Sequence, residues 1–416
     1  MFRSRYALRG IAIAGVATLA LTACGGGGDE TSGGDTPEGD GTLTVGTILP
    51  QTGTLAFLGP PEFAGVDLAV KEINEAGGVL GKDVVVSHKD SGDTSTDIAS
   101  QSADALISEG ADVVIGAASS SVSFNFMAKL NDAQIIQISP ANTSPDFTTD
   151  PDAEYYYRTA PSDIIQGRVL ADTIIEDGYS SVAILALQDS YGTGLADEVE
   201  KNIVGAGGEV VLKEVYDPQA AEFSAEVAAA KASGADALVL ITFEEFTTLA
   251  PQLAEGGMSP EDVPWYMVDG NLSNYGDQLP EGLLDGVKGT KPGVESGEDF
   301  QEALLSVDPE LNDFTYGPES YDATIIAALA AEAAGSDHPN AIKAELVGVT
   351  KEGEKCEDFA SCKALLDEGK DIDYDGRSGP IEWTEEGDIA VGSIGVYQYD
   401  ATNEFSLLGF ETGSLD

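Results

Sequence analysis

From Thr42 onward, short apolar runs alternate with longer stretches in which apolar residues recur every three or four positions. Runs bounded by turn residues read as buried strands, and the wider spacing reads as helices with one apolar stripe. The first unit shows the pattern. Thr42–Leu49 is strand-like, Phe63, Val66, Val70 and Ile73 fall at helical spacing, Gly77-Gly78 stops the helix, and Val84-Val85-Val86 opens the next strand. Further strands are predicted at Asp112–Gly116, Gln134–Ser139, Ser181–Leu187, Glu209–Tyr216, Ala237–Thr242 and Trp265–Asp269, with helices at 162–177, 193–205, 222–233 and 246–256. A fresh strand–helix series begins near Ala160-Pro161, so a second lobe of similar design is expected. The segment 298–350 returns to helix, and Tyr321–Ala334 is almost entirely small and apolar, which predicts a buried helix. Strands alternating with helices imply an α/β fold of doubly wound parallel sheets covered on both faces. In such sheets the loops after the strands form the ligand crevice, so the chemistry is sought there.

The N-terminus departs from this pattern. Arg3, Arg5 and Arg9 precede an apolar stretch, Ile11 to Leu21, too short to span a bilayer, so residues 1–23 read as an export signal. Its end, Leu21-Thr22-Ala23-Cys24, resembles the lipobox of bacterial lipoproteins, which implies cleavage before Cys24 and a lipid on that cysteine. Residues 24–42 are Gly-, Asp- and Thr-rich without periodicity, as in a flexible tether.

Charge and cysteine usage narrow the function. With 73 acidic against 20 basic residues and a net charge of -53, the chain lacks the basic face that binds nucleic acid or docks on anionic lipid. A hydrophobic fraction of 42% still supplies large cores. Such an acidic excess fits a surface adapted to high salt, or simply an acidic exported protein. Beyond Cys24 only Cys356 and Cys362 remain, an even pair that reads as a disulfide in an oxidising compartment. Two cysteines without a nearby histidine do not complete a zinc site. With only His88 and His338, and no Gly-x-Ser-x-Gly elbow, hydrolase chemistry is disfavoured, and no enzyme activity or cofactor is expected.

Five stretches carry a family resemblance: Pro50-x-Thr-Gly53, Ala69-Val-Lys-Glu-Ile-Asn-Glu-Ala-Gly-Gly-Val-Leu-Gly81, Ile138-Ser-Pro-Ala-Asn-Thr143, Asp189-Ser-Tyr-Gly-Thr-Gly194 and Gly379-Pro-Ile-Glu-Trp-Thr-Glu-Glu-Gly-Asp388. In this order and spacing the chain resembles the type I periplasmic solute-binding proteins, in their leucine/isoleucine/valine-binding branch. The resemblance implies two α/β lobes joined by three crossovers, near Ala160, Lys288–Lys291 and Gly376–Glu386. Lobe 1 is then 43–160 plus 290–378, and lobe 2 is 161–289 plus 379–416.

Between these lobes the resemblance implies a ligand site. Gly116-Ala-Ala-Ser-Ser-Ser121 precedes a helix whose free N–H groups and serine hydroxyls suit a carboxylate, with Ser120 or Ser121 at the family's carboxylate-binding position. Serines at a helix start also serve simply as caps. The family pattern puts a ligand ammonium against the Ala141 carbonyl and the Thr143 hydroxyl, with Asp269 as the acidic partner from lobe 2. Tyr191 fits a closing tyrosine, while Phe57 and Leu58 from lobe 1 and Phe246 from lobe 2 fit the side-chain pocket. Glu244 and Glu245 depart from the branch: they either favour a ligand with an extra positive group or are solvated. Asp371-x-Asp373-x-Asp375-Gly376 with Glu382 meets a calcium-loop spacing, but Pro380 and the strand-like Ile-Glu-Trp after it lack the flanking helix, so no metal is assigned.

The implied function is a monomeric, lipid-anchored extracytoplasmic receptor that captures a small amino acid and delivers it to an ABC permease. Two other readings stay open: a receptor for an amide, urea or aromatic carboxylate, and a sensory receptor with a signalling partner.

Overall fold

The computed structural model describes residues 37–415. The expected export signal, Cys24 and most of the tether lie outside these residues. Lobe 1 is built on a parallel sheet of order β2-β1-β3-β4-β5, with β1 at Thr44–Leu49, β2 at Val85–Asp90, β3 at Val113–Gly116, β4 at Ile136–Ser139 and β5 at Tyr156–Arg158. Lobe 2 begins with β6 (Ser181–Leu187), β7 (Glu209–Tyr216), β8 (Ala237–Ile241), β9 (Trp265–Met267) and β10 (Lys288–Pro292). A small sheet of β11 (Glu354–Cys356), β12 (Ile372–Gly376) and β13 (Gly379–Pro380) follows on lobe 1. The hairpin of β14 (Val391–Tyr399) and β15 (Phe405–Ser414) then completes lobe 2, whose order is β15-β14-β10-β9-β8-β6-β7.

The helices pack their apolar stripes on these sheets, giving one main core per lobe. The predicted buried helix is Gly317–Ala334, with every residue from Gly317 to Ala331 buried. It lies against the helix Gly59–Glu75 so closely that a Cβ on Gly65 would stand 2.2 Å from the Gly317 carbonyl oxygen. Only a residue without a side chain allows that approach.

Three features differ from the sequence-based expectation. Lobe 2 is a mixed sheet, because β14 runs antiparallel to β10 and β15 antiparallel to β14. The second crossover follows β10, so residues 290–292 belong to lobe 2. The third lies at Ala390, after the expected Gly376–Glu386. Ile381, Trp383 and Ile389 sit in the lobe 1 core, where the Trp383 indole packs on Tyr157 and donates to the Arg158 carbonyl at 2.7 Å. The last tether residues are held: the N–H groups of Gly41 and Thr42 each donate to Asp337 at 2.6 Å. Cys356 and Cys362 form the expected disulfide.

Asp373 and Asp375 of the calcium-like spacing lie on β12, and the Lys355 ammonium bridges both at 2.9 Å. The Asp322 carboxylate fills the turn after β12, accepting from the N–H groups of Arg377 and Ser378. This segment is a strand hairpin built on a lysine and an internal carboxylate.

Candidate ligand cleft between the lobes

On lobe 1 the wall is made by the loops after β3 and β4. Ser119 caps the short helix Ser120–Phe124, its hydroxyl accepting from the Val122 N–H. The two loops are stitched together: Ser139 donates to the Ala117 carbonyl at 2.7 Å, and the Asn142 amide donates to the carbonyls of Ala117 and Ala118 at 3.0 and 2.8 Å. Behind them Arg158, fully buried, donates to the Ser144 carbonyl at 2.8 Å and to Asp388 at 2.6 Å. A buried ion pair persists only when its remaining donors are satisfied, and here they hold the Asn142–Ser144 backbone in place.

On lobe 2 the wall comes from the strand ends after β6, β8 and β9. Tyr191 stacks on Phe243, with ring centroids 5.5 Å apart and planes 8° from parallel. Asp269 is buried just after β9. Its Oδ1 accepts from the Gln166 amide and the Tyr191 hydroxyl, both at 2.8 Å, and its Oδ2 accepts from the Tyr316 hydroxyl at 2.6 Å. Tyr316 comes from lobe 1, so this carboxylate ties the lobes together. Burial raises the Asp269 carboxyl above its usual range, against the opposing effect of Tyr316, Gln166 and Tyr191.

The structure brings Leu58, Ser120, Ala141, Tyr191 and Asp269 to one cleft. Phe57 packs half-buried beside them on the lobe 2 core cluster. Ser121 turns aside, its hydroxyl accepting from the Ser190 N–H at 2.7 Å across the lobe boundary. Thr143 is buried, and its hydroxyl has no hydrogen-bond partner among the described residues. Phe246 does not line the cleft: it is wholly inside lobe 2, against Trp265 and Tyr275. The reason is position, since Phe246 starts a helix whose buried face meets the core, whereas Phe243 lies on the loop after β8. Glu245 is likewise largely buried, accepting from the Tyr216 hydroxyl and the Phe243 N–H, while Glu244 is exposed.

Sequence reasoning missed Phe243, Gly270 and Tyr316, which also line the cleft. Phe243 was within reach of the strand-end rule. Tyr316, just before Gly317-Pro318, adopts a left-handed φ of 60° and has no comparable signal. The helix-start donors expected to meet a ligand carboxylate are partly occupied: Asp189 of lobe 2 accepts from the Ser119 hydroxyl at 3.0 Å and the Ser121 N–H at 3.4 Å. Among the described residues no group of His, Cys, Asp and Glu is arranged for a metal ion.

The sequence profile of the family described as "Periplasmic binding protein" matches residues 42–403, most of the chain. The chain belongs to that family. It is therefore a solute-binding protein of the two-lobed type and not an enzyme, and the family's place is outside the cytoplasm. A relative in Brucella melitensis biotype 1, "Leu/Ile/Val-binding protein homolog 3", is 27% identical over 365 residues, spanning 86% of this chain and 91% of the relative. Among solved structures, the branched-chain amino acid transporter substrate-binding protein LivJ from Streptococcus pneumoniae, in complex with isoleucine, has a TM-score of 0.71 at 21% identity, covering 90% of this chain and 99% of that one. A solute-binding protein from R. palustris in complex with 4-hydroxybenzoate has a TM-score of 0.74 at 18% identity, covering 90% and 97%. At these identities the structures establish the shared fold.

Proposed function

We propose that the protein is a lipid-anchored, monomeric receptor that captures a small amino acid between its lobes and delivers it to an ABC permease. The observation that carries this reading is Asp269, a buried carboxylate on the cleft, held by one tyrosine from each lobe and facing a wall of helix-start and backbone groups around Ser120 and Ala141. A zwitterion placed there has its ammonium on Asp269 and its carboxylate toward Ser120, with the Tyr191–Phe243 stack against its side chain. Such a ligand touches both lobes only when they are closed, so its binding energy drives closure. Converting a mostly open population to a mostly closed one takes roughly 10⁴-fold preference for the closed form, about 5.5 kcal/mol. The relatives' branched-chain amino acid names support the ligand class, and the export signal with Cys24 supports the anchor.

Melting of the purified protein against separate L-amino acids, amides, polyamines and aromatic acids tests the reading. A ligand at about 1,000 times its Kd adds about 4 kcal/mol of stability. Stabilisation by L-isoleucine or a similar amino acid, lost in Asp269→Asn, is the expected result. Stabilisation only by solutes without an amino group would overturn it. The second reading, an aromatic acid, has two observations in its favour: Asp269 already accepts from two tyrosine hydroxyls and an amide, and the stacked aromatic pair offers a flat apolar face.

A further inference from the structure

One helical turn before Gln166, whose amide holds Asp269, stands a second acid that sequence reasoning did not single out. Asp163 opens the helix Asp163–Glu176 just after the first crossover, and its own N–H donates to the Thr143 carbonyl at 2.8 Å. Its side chain is wholly buried, and among the described residues neither carboxylate oxygen has a hydrogen-bond donor. Two further acceptors in this region are also buried without a partner, the Thr143 hydroxyl oxygen and the Gln166 carbonyl oxygen, while the other end of the Gln166 amide holds Asp269. Buried acceptors in such numbers require a proton or a donor from outside the protein.

The groups facing Asp163 supply no free cation. Asp269 acts on it from the loop after β9 and Glu198 from the helix Ser190–Gly205, while Tyr191 on the same helix feels both Asp163 and Asp269. Among the described residues the one positive group that acts on it is Arg158, already engaged with Asp388. Two buried carboxyls that act on each other do not readily both ionise, and one proton shared by the pair relieves the conflict.

We propose that Asp163 is the second acid of the amino-group end of the cleft: it shares one proton with Asp269 when no solute is bound, and a solute ammonium displaces that proton. This rests on the reading of Asp269 as the ammonium partner. The step balances, because the ammonium brings one positive charge, both carboxylates become ionised around it, and the proton leaves to solvent. Burial raises the Asp163 carboxyl first and Asp269 adds to the effect, while the Thr143 hydroxyl, near it but outside hydrogen-bonding geometry, and Arg158 oppose it, which agrees with a retained proton. Asp163 acts through Asp269 and is a positioning residue whose charge distinguishes a cationic head group from a neutral one of the same shape.

Two measurements on the full chain test this. The first is the infrared difference spectrum, at neutral pH and without solute, between the wild type and Asp163→Asn. A protonated-carboxyl band lost in the variant is expected, and Asp269→Asn should remove the same band if Asp163→Asn folds poorly. No carboxyl band in that difference overturns the proposal whatever the ligand, since the bands of other buried acids such as Glu62 and Glu319 cancel in it. The second is calorimetry of L-isoleucine binding to the wild type in buffers of different ionisation heat, repeated with Asp163→Asn. About one proton released per isoleucine is expected in the wild type and close to none in the variant, with wild-type affinity rising roughly tenfold per pH unit where the shared proton is retained. Tight binding without proton release overturns the proposal. If the band is present but L-isoleucine does not bind, the shared proton is supported and the ammonium reading of Asp269 is what fails.

Discussion

Phe243 and Phe246 stand three positions apart, yet they belong to different parts of the molecule. Phe246 is enclosed by Trp265 and Tyr275, so Phe246→Ala leaves a cavity and should cost about 3–5 kcal/mol of stability. Phe243 stacks on Tyr191 at the cleft, so Phe243→Leu should weaken solute affinity while changing the melting temperature little. Paired melting and affinity measurements on the two variants check the assignment, and a swapped pattern would return Phe246 to the site. Tyr316→Phe removes one donor to the buried Asp269 carboxylate and should cost about 1–3 kcal/mol, seen as weaker binding of an amino-bearing solute. These residues also show where the sequence stopped being legible. Asp269 and Tyr191 were found because each follows a strand inside a family pattern. Tyr316 reaches the cleft from the other lobe through the packing of Gly317–Ala334, which no local spacing encodes.

At the scale of elements, alternating apolar runs revealed the parallel strands and their covering helices, because each must bury one stripe or both faces. The β14–β15 hairpin was not picked out: it lies at the sheet edge, where Leu408 and Phe410 remain exposed and the apolar contrast is weak. The third crossover was placed too early because Gly376–Glu386 looks like a Gly-rich turn, while what fixes the chain to lobe 1 is a tertiary contact, Asp388 with Arg158. That pair has consequences of its own. Removing one partner leaves an uncompensated buried charge, so Asp388→Ala should destabilise the protein by about 3–5 kcal/mol. Because Arg158 also holds the Ser144 carbonyl, the same variant should loosen the loop carrying Ala141 and Thr143 and weaken solute binding beyond what the lost stability explains. Hydrogen exchange of the 139–144 amides measures that loosening, and unchanged protection there would restrict the pair to a purely structural role.

For the molecule as a whole the excess of acid extends inward. Glu62 and Glu319 are both buried, where the helix starts Gly59–Glu75 and Gly317–Ala334 meet, and among the described residues neither oxygen of Glu62 has a hydrogen-bond partner. Burial pushes Glu319 up to about 8, its own backbone N–H opposing this, Asp322 adding to it and Lys291 opposing it. Glu62 is raised in the same direction by burial and by Glu319. An acid raised in the folded state binds more protons there than in the unfolded chain between the unfolded and folded values. In that window stability therefore falls as pH rises. For Glu319 the window runs from the usual glutamate range to about 8, and the full loss is on the order of 4–5 kcal/mol if the rest of the structure does not relax. Denaturant midpoints should accordingly decline from about pH 5 to about pH 9, and Glu319→Gln, which stays neutral, should flatten part of that decline. Surface repulsion among the excess acids gives a decline of another kind, since it is screened by salt, whereas the buried pair is not. Measuring the slope in molar salt separates the two. A decline that survives salt and is reduced by Glu319→Gln belongs to the interior, and one that salt abolishes in wild type and variant alike would show that Glu62 and Glu319 contribute nothing.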